Sequence, residues 1–131
     1  MVKKWITMII LSAVLIFGCI FETMFVNKAF EKLINSLESL QIELSENKDK
    51  IDTEHLIEKT DTIHKEWREN SKALKCLIWH SGIKDIEIGM ARIFVYVKEN
   101  NYTEAYAEIA AIIDYCAHYL DDFSISSENI L

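Results

Sequence analysis

The sequence predicts an all-α protein: an N-terminal transmembrane helix that continues into an antiparallel bundle of about four helices. Three observations carry that reading. Trp5 to Phe21 is an uncharged, apolar run of 17 residues standing behind Lys3 and Lys4. Proline is absent and the only glycines are Gly18, Gly82 and Gly89, fewer turn residues than sheets and elaborate loops need. The rest of the chain alternates amphipathic runs of helical period with short polar breaks.

As a helix, the apolar run rises roughly 26 Å, a little under the ~30 Å hydrocarbon core of a bilayer. Lys3 and Lys4 can snorkel outward, and Met24, Phe25 and Val26 extend the apolar surface past Glu22, so the anchor is placed at 5–26. Its Ile, Leu, Val and Phe side chains together favour insertion by roughly 3 to 6 kcal/mol, which outweighs Thr7, Ser12 and Gly18. Membrane lipid is therefore the expected partner of 5–26. No pair of small residues of the Ala-x-Ala kind ends the run, which favours an uncleaved signal-anchor over a cleaved signal. A lipoprotein anchored at Cys19 is the alternative. Gly18 before Cys19 suits it, and the bulky Phe17 does not. Lys28 and Lys32 on the far side are diluted by Glu22 and Glu31. The slight positive-inside bias favours a cytoplasmic N-terminus and an extracytoplasmic domain.

Residues 1–4 read as a short basic N-terminus, 27–120 as the bundle and 121–131 as a polar C-terminal tail. With Lys3 and Lys4 set aside, 12 basic residues face 21 acidic ones, a charge of −9. So acidic a surface repels nucleic acid and anionic headgroups, and no nucleic-acid partner is expected. Cys19, Cys76 and Cys116 form no CxxC pair, and their spacing leaves open whether Cys76 and Cys116 are bridged.

The first bundle helix carries Val26, Phe30, Leu33, Leu37, Leu40 and Leu44, steps of 4, 3, 4, 3 and 4 that trace a coiled-coil-like seam. That seam should meet helices of the same chain, and the anchor should run into it without a break. Ser45 to Lys50 is a polar break. Asp52 or Thr53 caps a second helix, with Glu54 in its first turn. This helix is expected to reach about His80 and to bury Leu56, Ile63, Trp67, Leu74, Leu77 and Ile78. Gly82 reads as its left-handed C-terminal stop. A third helix follows over about 84–99, with Ile86, Met90, Ile93, Phe94 and Val97 on one face. Ile88, Val95 and Tyr96 make its other side apolar too, which predicts cover on two sides. Asn100-Asn101 is a tight turn, and Asn101 with Glu104 forms a capping-box-like start. The last helix turns Tyr102, Ala105, Tyr106, Ile109, Ile112, Ile113, Cys116 and Leu120 inward. Its alanines permit close approach, and the last two helices look like a tetratricopeptide hairpin.

Few residues invite chemistry. Cys76 and His80, one turn apart, with Cys116 and His118 would make a zinc set, but Cys116 and His118 face different ways on a helix. The simpler role for His80 is to cap the end of the second helix. Asp114 and His118 suit a solvated ion pair better than an acid–base pair. Ser81, Ser124, Ser126 and Ser127 lie in no nucleophile elbow, and no phosphate-cradling glycine loop exists. Arg92 suits an ion pair with an acid on a neighbouring helix or with the terminal carboxylate. Tyr96, Tyr102, Tyr106, Tyr115 and Tyr119 suit a core edge, or the rim of a groove for a partner helix.

Trp67, His80 with Ile83, Ile86 and Glu87, Ala91-Arg92, Tyr96, Ala105, Glu108 and the closing Asn129-Ile130-Leu131 form a pattern of their own. On these residues the chain resembles a family of small bacterial proteins of unknown function, found mainly in clostridia and related spore formers. It departs from them at Gly82 and Lys84, where acidic residues are usual. The resemblance implies a membrane helix followed by a helical domain and a membrane-protein partner, and it brings no established activity, cofactor or substrate.

Together these readings describe a non-catalytic interaction or structural module at the membrane surface, partnered by another membrane protein or by itself. Trp67, His80, Arg92, Tyr96, Tyr106 and Asn129 are its candidate interaction or structural positions. No catalytic residue, metal ligand or cofactor is assigned. The alternative is a small metal- or ligand-binding domain centred on His80.

Overall fold

The computed structural model describes residues 1–46, 52–76 and 80–128; the side chains of 80 and 123–128 fall outside that description. Four helices run through it: α1 (Val2–Glu46), α2 (Thr53–Leu74), α3 (His80–Lys98) and α4 (Tyr102–Glu128). Among the described residues 94% are helical and none forms a strand. Residues 47–50 of the polar break, Leu77 and Ile78, and Asn129 to Leu131 lie outside the described residues.

α1 is a single helix of 45 residues, so it extends about 67 Å. Its halves meet different surroundings. Phe17 and Phe21 keep 73% and 74% of their surface exposed, and their apolar neighbours are similarly bare. From Val26 onward the seam is buried at Val26, Phe30, Leu33, Leu37, Leu40 and Leu44. Length and composition suffice for α1 to cross a membrane, a property that anchors and signal sequences share.

The second half of α1 packs with α2, α2 with α3, α3 with α4, and α4 closes the ring on α1. Phe30 is the hub. It meets Trp67 edge-on at 5.7 Å and stacks on Tyr119 at 4.8 Å, joining three helices. The two buried hydroxyls among the described residues are partnered: that of Thr60 donates to the Leu56 carbonyl at 2.7 Å, and the single proton of Ser71 is shared between the Arg68 carbonyl at 3.0 Å and Glu87 of α3 at 3.2 Å.

The helix boundaries follow their caps. Asp52 precedes α2 in extended conformation, and its carboxylate accepts from the His55 amide at 3.2 Å. α3 ends on Asn100, the one described non-glycine residue with positive φ, at 58°. The Asn100 amide bonds to the Val97 carbonyl at 3.1 Å and the Asn101 amide to that of Tyr96 at 2.8 Å. This is the paired C-terminal closure of a Schellman motif. The Asn101 side chain then accepts from the Glu104 amide at 3.4 Å and starts α4. The reciprocal half of the expected capping box cannot form, because the Asn101 amide already serves Tyr96.

Several expectations need correction. α2 stops at Leu74, with Lys75 and Cys76 in a turn, and His80 opens α3 instead of closing α2. Cys76 and His80 therefore share no helix face. Gly82 is not a left-handed stop; it lies inside α3, and no described glycine has positive φ. Its role is close approach. A Cβ on Gly82 would stand 1.9 Å from the Tyr115 hydroxyl, and one on Gly89 would stand 2.7 Å from Ile112 Cδ1. At Gly89 the obstacle is the buried Ile112, and at Gly82 it is the end of the Tyr115 side chain, which is partly exposed. Tyr106 is 44% exposed and not on the inner face. The outer side of α3 is uncovered, with Ile88 41% and Val95 47% exposed. Helix persists through 121–128, where a tail was expected.

Helix propensity alone would make Gly89→Ala stabilising by roughly 1 kcal/mol. Here the buried Ile112 blocks the new methyl, so we expect a net loss of about 1–3 kcal/mol in denaturant unfolding. Ile112→Val, which removes the blocking Cδ1, should recover part of that loss in the double variant.

Candidate functional site

The described candidate positions are spread over the fold. Trp67 is 1% exposed and works inside the core; its indole N–H has no hydrogen-bond partner among the described residues, so packing is what holds it. Arg92 sits on the outside of α3 and reaches Glu108 of α4 at 3.4 Å. Tyr96 is half-buried against the core, and its carbonyl anchors the end of α3. Tyr106 lines an open groove with Leu44, Ser45 and Asn101 at the far end of the bundle. The side chain of His80 and all of Asn129 lie outside the described residues.

Two polar constellations escaped sequence reasoning. The first lies between α1 and α2, an open groove of about 600 Å³ that includes Asn35, Ser36, Ser39, His55, Lys59 and Thr62. Lys59 donates to Ser39 at 2.8 Å and pairs with Glu43, whose carboxylate also lies 3.4 Å from His55. The ammonium is thus already engaged, and the groove also carries the carboxylates of Glu58 and Glu66. The second joins three elements at the far end. The Tyr102 hydroxyl donates to Asn100 Oδ1 at 2.8 Å and lies 2.6 Å from the Thr53 hydroxyl, so the α2 start is tied to the α3–α4 turn. Neither was visible in sequence, because each depends on residues from separate helices reaching one level.

The titratable groups sit in sharply different environments. His118 donates from Nδ1 to the Asp114 carbonyl at 2.9 Å while three-quarters exposed. That bond, and then the Asp114 carboxylate, raise its pKa. Burial pushes the Cys116 thiol up to about 12, far from the thiolate range. Cys19, Cys76 and Cys116 are free thiols, the first two exposed and the third buried. Glu87 receives Lys75 at 3.1 Å and Ser71 at 3.2 Å, which fixes the base of α2 on α3. Among the described residues no group of three or more His, Cys, Asp or Glu is placed to hold a metal.

Two outcomes follow from these environments. In single-cysteine variants, Cys76 should react with a maleimide in the folded protein, and Cys116 only after unfolding. His64 has its pKa lowered, first by burial and then by Arg68. Its neutral form is favoured in the fold, so the penalty is absent well above pH ~6.5 and grows as pH falls through that value. His64→Gln should therefore lose less stability than the wild type between pH 7.5 and 5.5, read as the shift in urea midpoint.

Over residues 21–130 the chain matches the family described as a domain of unknown function (DUF4363), and it belongs to that family. No curated protein and no solved structure matches it.

Proposed function

We propose that this member of the family is a non-catalytic interaction module, held against the membrane surface by α1 and docked to another membrane protein. The observation that supports this reading is the course of α1. One unbroken helix carries a bare apolar half, and its other half forms one wall of the bundle core. A bare apolar surface of that length is stable in lipid and unstable in water. The passage between halves takes about one turn. Ala73, near the end of α2, borders an apolar groove with Phe21 and Phe25, so the base of the bundle lies beside the end of the bare segment.

Topology follows the same reading. The N-terminus with Lys3 and Lys4 stays in the cytoplasm and the bundle lies outside, where its acidic surface is kept off anionic lipid by repulsion. Exposed apolar residues of the bundle away from the α3–α4 face, Ile42 and Tyr106 among them, supply contact area for a protein partner.

The full-length chain should stay with membranes through alkaline carbonate extraction. A membrane-impermeant maleimide added to intact cells should label Cys76. In-cell crosslinking followed by denaturing purification should recover a second membrane protein. A chain that washes off the membrane, or a crosslinked sample with no partner of any kind, overturns the reading.

A further inference from the structure

The outer face of the α3–α4 pair is the part of the bundle surface whose residues are hardest to explain in a lone chain. Ile88 and Val95 stand seven residues apart on α3, 41% and 47% exposed, with Arg92 between them. Beside them lies an open groove of about 270 Å³, lined by Asp85, Ile88, Arg92, Glu108, Ala111 and Tyr115. Arg92 is 58% exposed and its contact with Glu108, at 3.4 Å, is a long one, so its remaining donors point to solvent. An exposed ion pair of this kind contributes little by itself.

We propose that this face is where two copies of the chain meet, around a twofold axis along the membrane normal. The proposal rests on the reading that α1 anchors every copy in the same direction, and two arguments select a second copy as the occupant. The first is symmetry. Copies anchored alike can form a closed pair only about an axis perpendicular to the membrane. Such an axis lays α3 of one protomer along α4 of the other, antiparallel and at equal height. The second is charge. Within one chain, Gly82 lies against Tyr115, Gly89 against Ile112, and Arg92 against Glu108. Each level of α3 thus has its counterpart on α4. Across the twofold axis, Arg92 of each copy meets Glu108 of the other, Ile88 meets Ala111 and Tyr115, and Val95 meets Ala107. The face is self-complementary in both charge and apolar surface, and each Glu108 gains a second guanidinium. Lys84 at one end and Glu104 at the other remain at the rim, and Asp85 stays in the groove beside Tyr115.

The test uses two differently tagged full-length copies expressed together, with co-purification from detergent-solubilised membranes. Wild-type copies should co-purify. Arg92→Glu and Glu108→Arg, each paired with itself, should lower recovery at least fivefold. Mixing Arg92→Glu copies with Glu108→Arg copies should restore it, because both contacts across the axis are then matched while both contacts within each chain are not. Val95→Lys, at an exposed position the fold does not use, should also lower recovery at least fivefold. Wild-type copies that do not co-purify, single variants that associate normally, or a mixture that fails to recover while Val95→Lys associates normally each overturn the proposal. So does capture of a different membrane protein through Ile88 and Val95 in place of a second copy. That last result leaves the interaction role standing, and loss of the chain from the membrane fraction would instead remove the role itself.

Discussion

A helix that shows only apolar surface at Phe21 and enters a protein core at Val26 has about one turn in which to change surroundings. That constraint sets the rest of the structure. Glu22 and Thr23 fall in this turn, and Thr23 hides its hydroxyl on the Cys19 carbonyl at 2.9 Å, so the helix need not break to accommodate it. The seam from Val26 to Leu44 then fixes which side of α1 the bundle occupies. Its average step of 3.5 residues, against the 3.6 of a straight helix, calls for packing with a slight left-handed wrap. Phe30 sits where that wrap begins and meets α2 and α4 together.

The opposite side of the ring is organised by absence of side chains. Gly82 and Gly89 bring α4 onto α3 closely enough that Tyr115 and Ile112 occupy the space a Cβ would take. The α3–α4 pair is therefore tight at its inner edge. Its outer edge keeps apolar residues that neither helix covers. Tight packing inside and bare aliphatic surface outside are consistent with a pair that behaves as one rigid plate within the bundle.

The sequence made some of this legible because one local rule determined it. The 4-3-4-3-4 spacing in α1, the Asn100-Asn101 turn and the burial of Trp67 each follow from residues close together in the chain. Gly82 was misread because the same residue serves a left-handed cap and a close helix contact, and only the position of Tyr115 separates the two. Ile88 and Val95 were read as covered because apolarity reports a preference for burial and says nothing of whether this chain alone supplies the cover. The Lys59–Glu43–His55 cluster and the Thr53–Tyr102–Asn100 tie depend on helices arriving at a common height, which no local pattern encodes.

The unbroken course of α1 has a mechanical consequence. Beyond Val26 it continues for about 31 Å to the distal tip, with no hinge to absorb reorientation. Placed in a bilayer, a helix that answers a change in lipid thickness by tilting about 20° would swing that tip sideways by roughly 11 Å. In a bilayer such a helix would act as a lever with two arms of similar length, one set by lipid and the other sweeping whatever lies alongside.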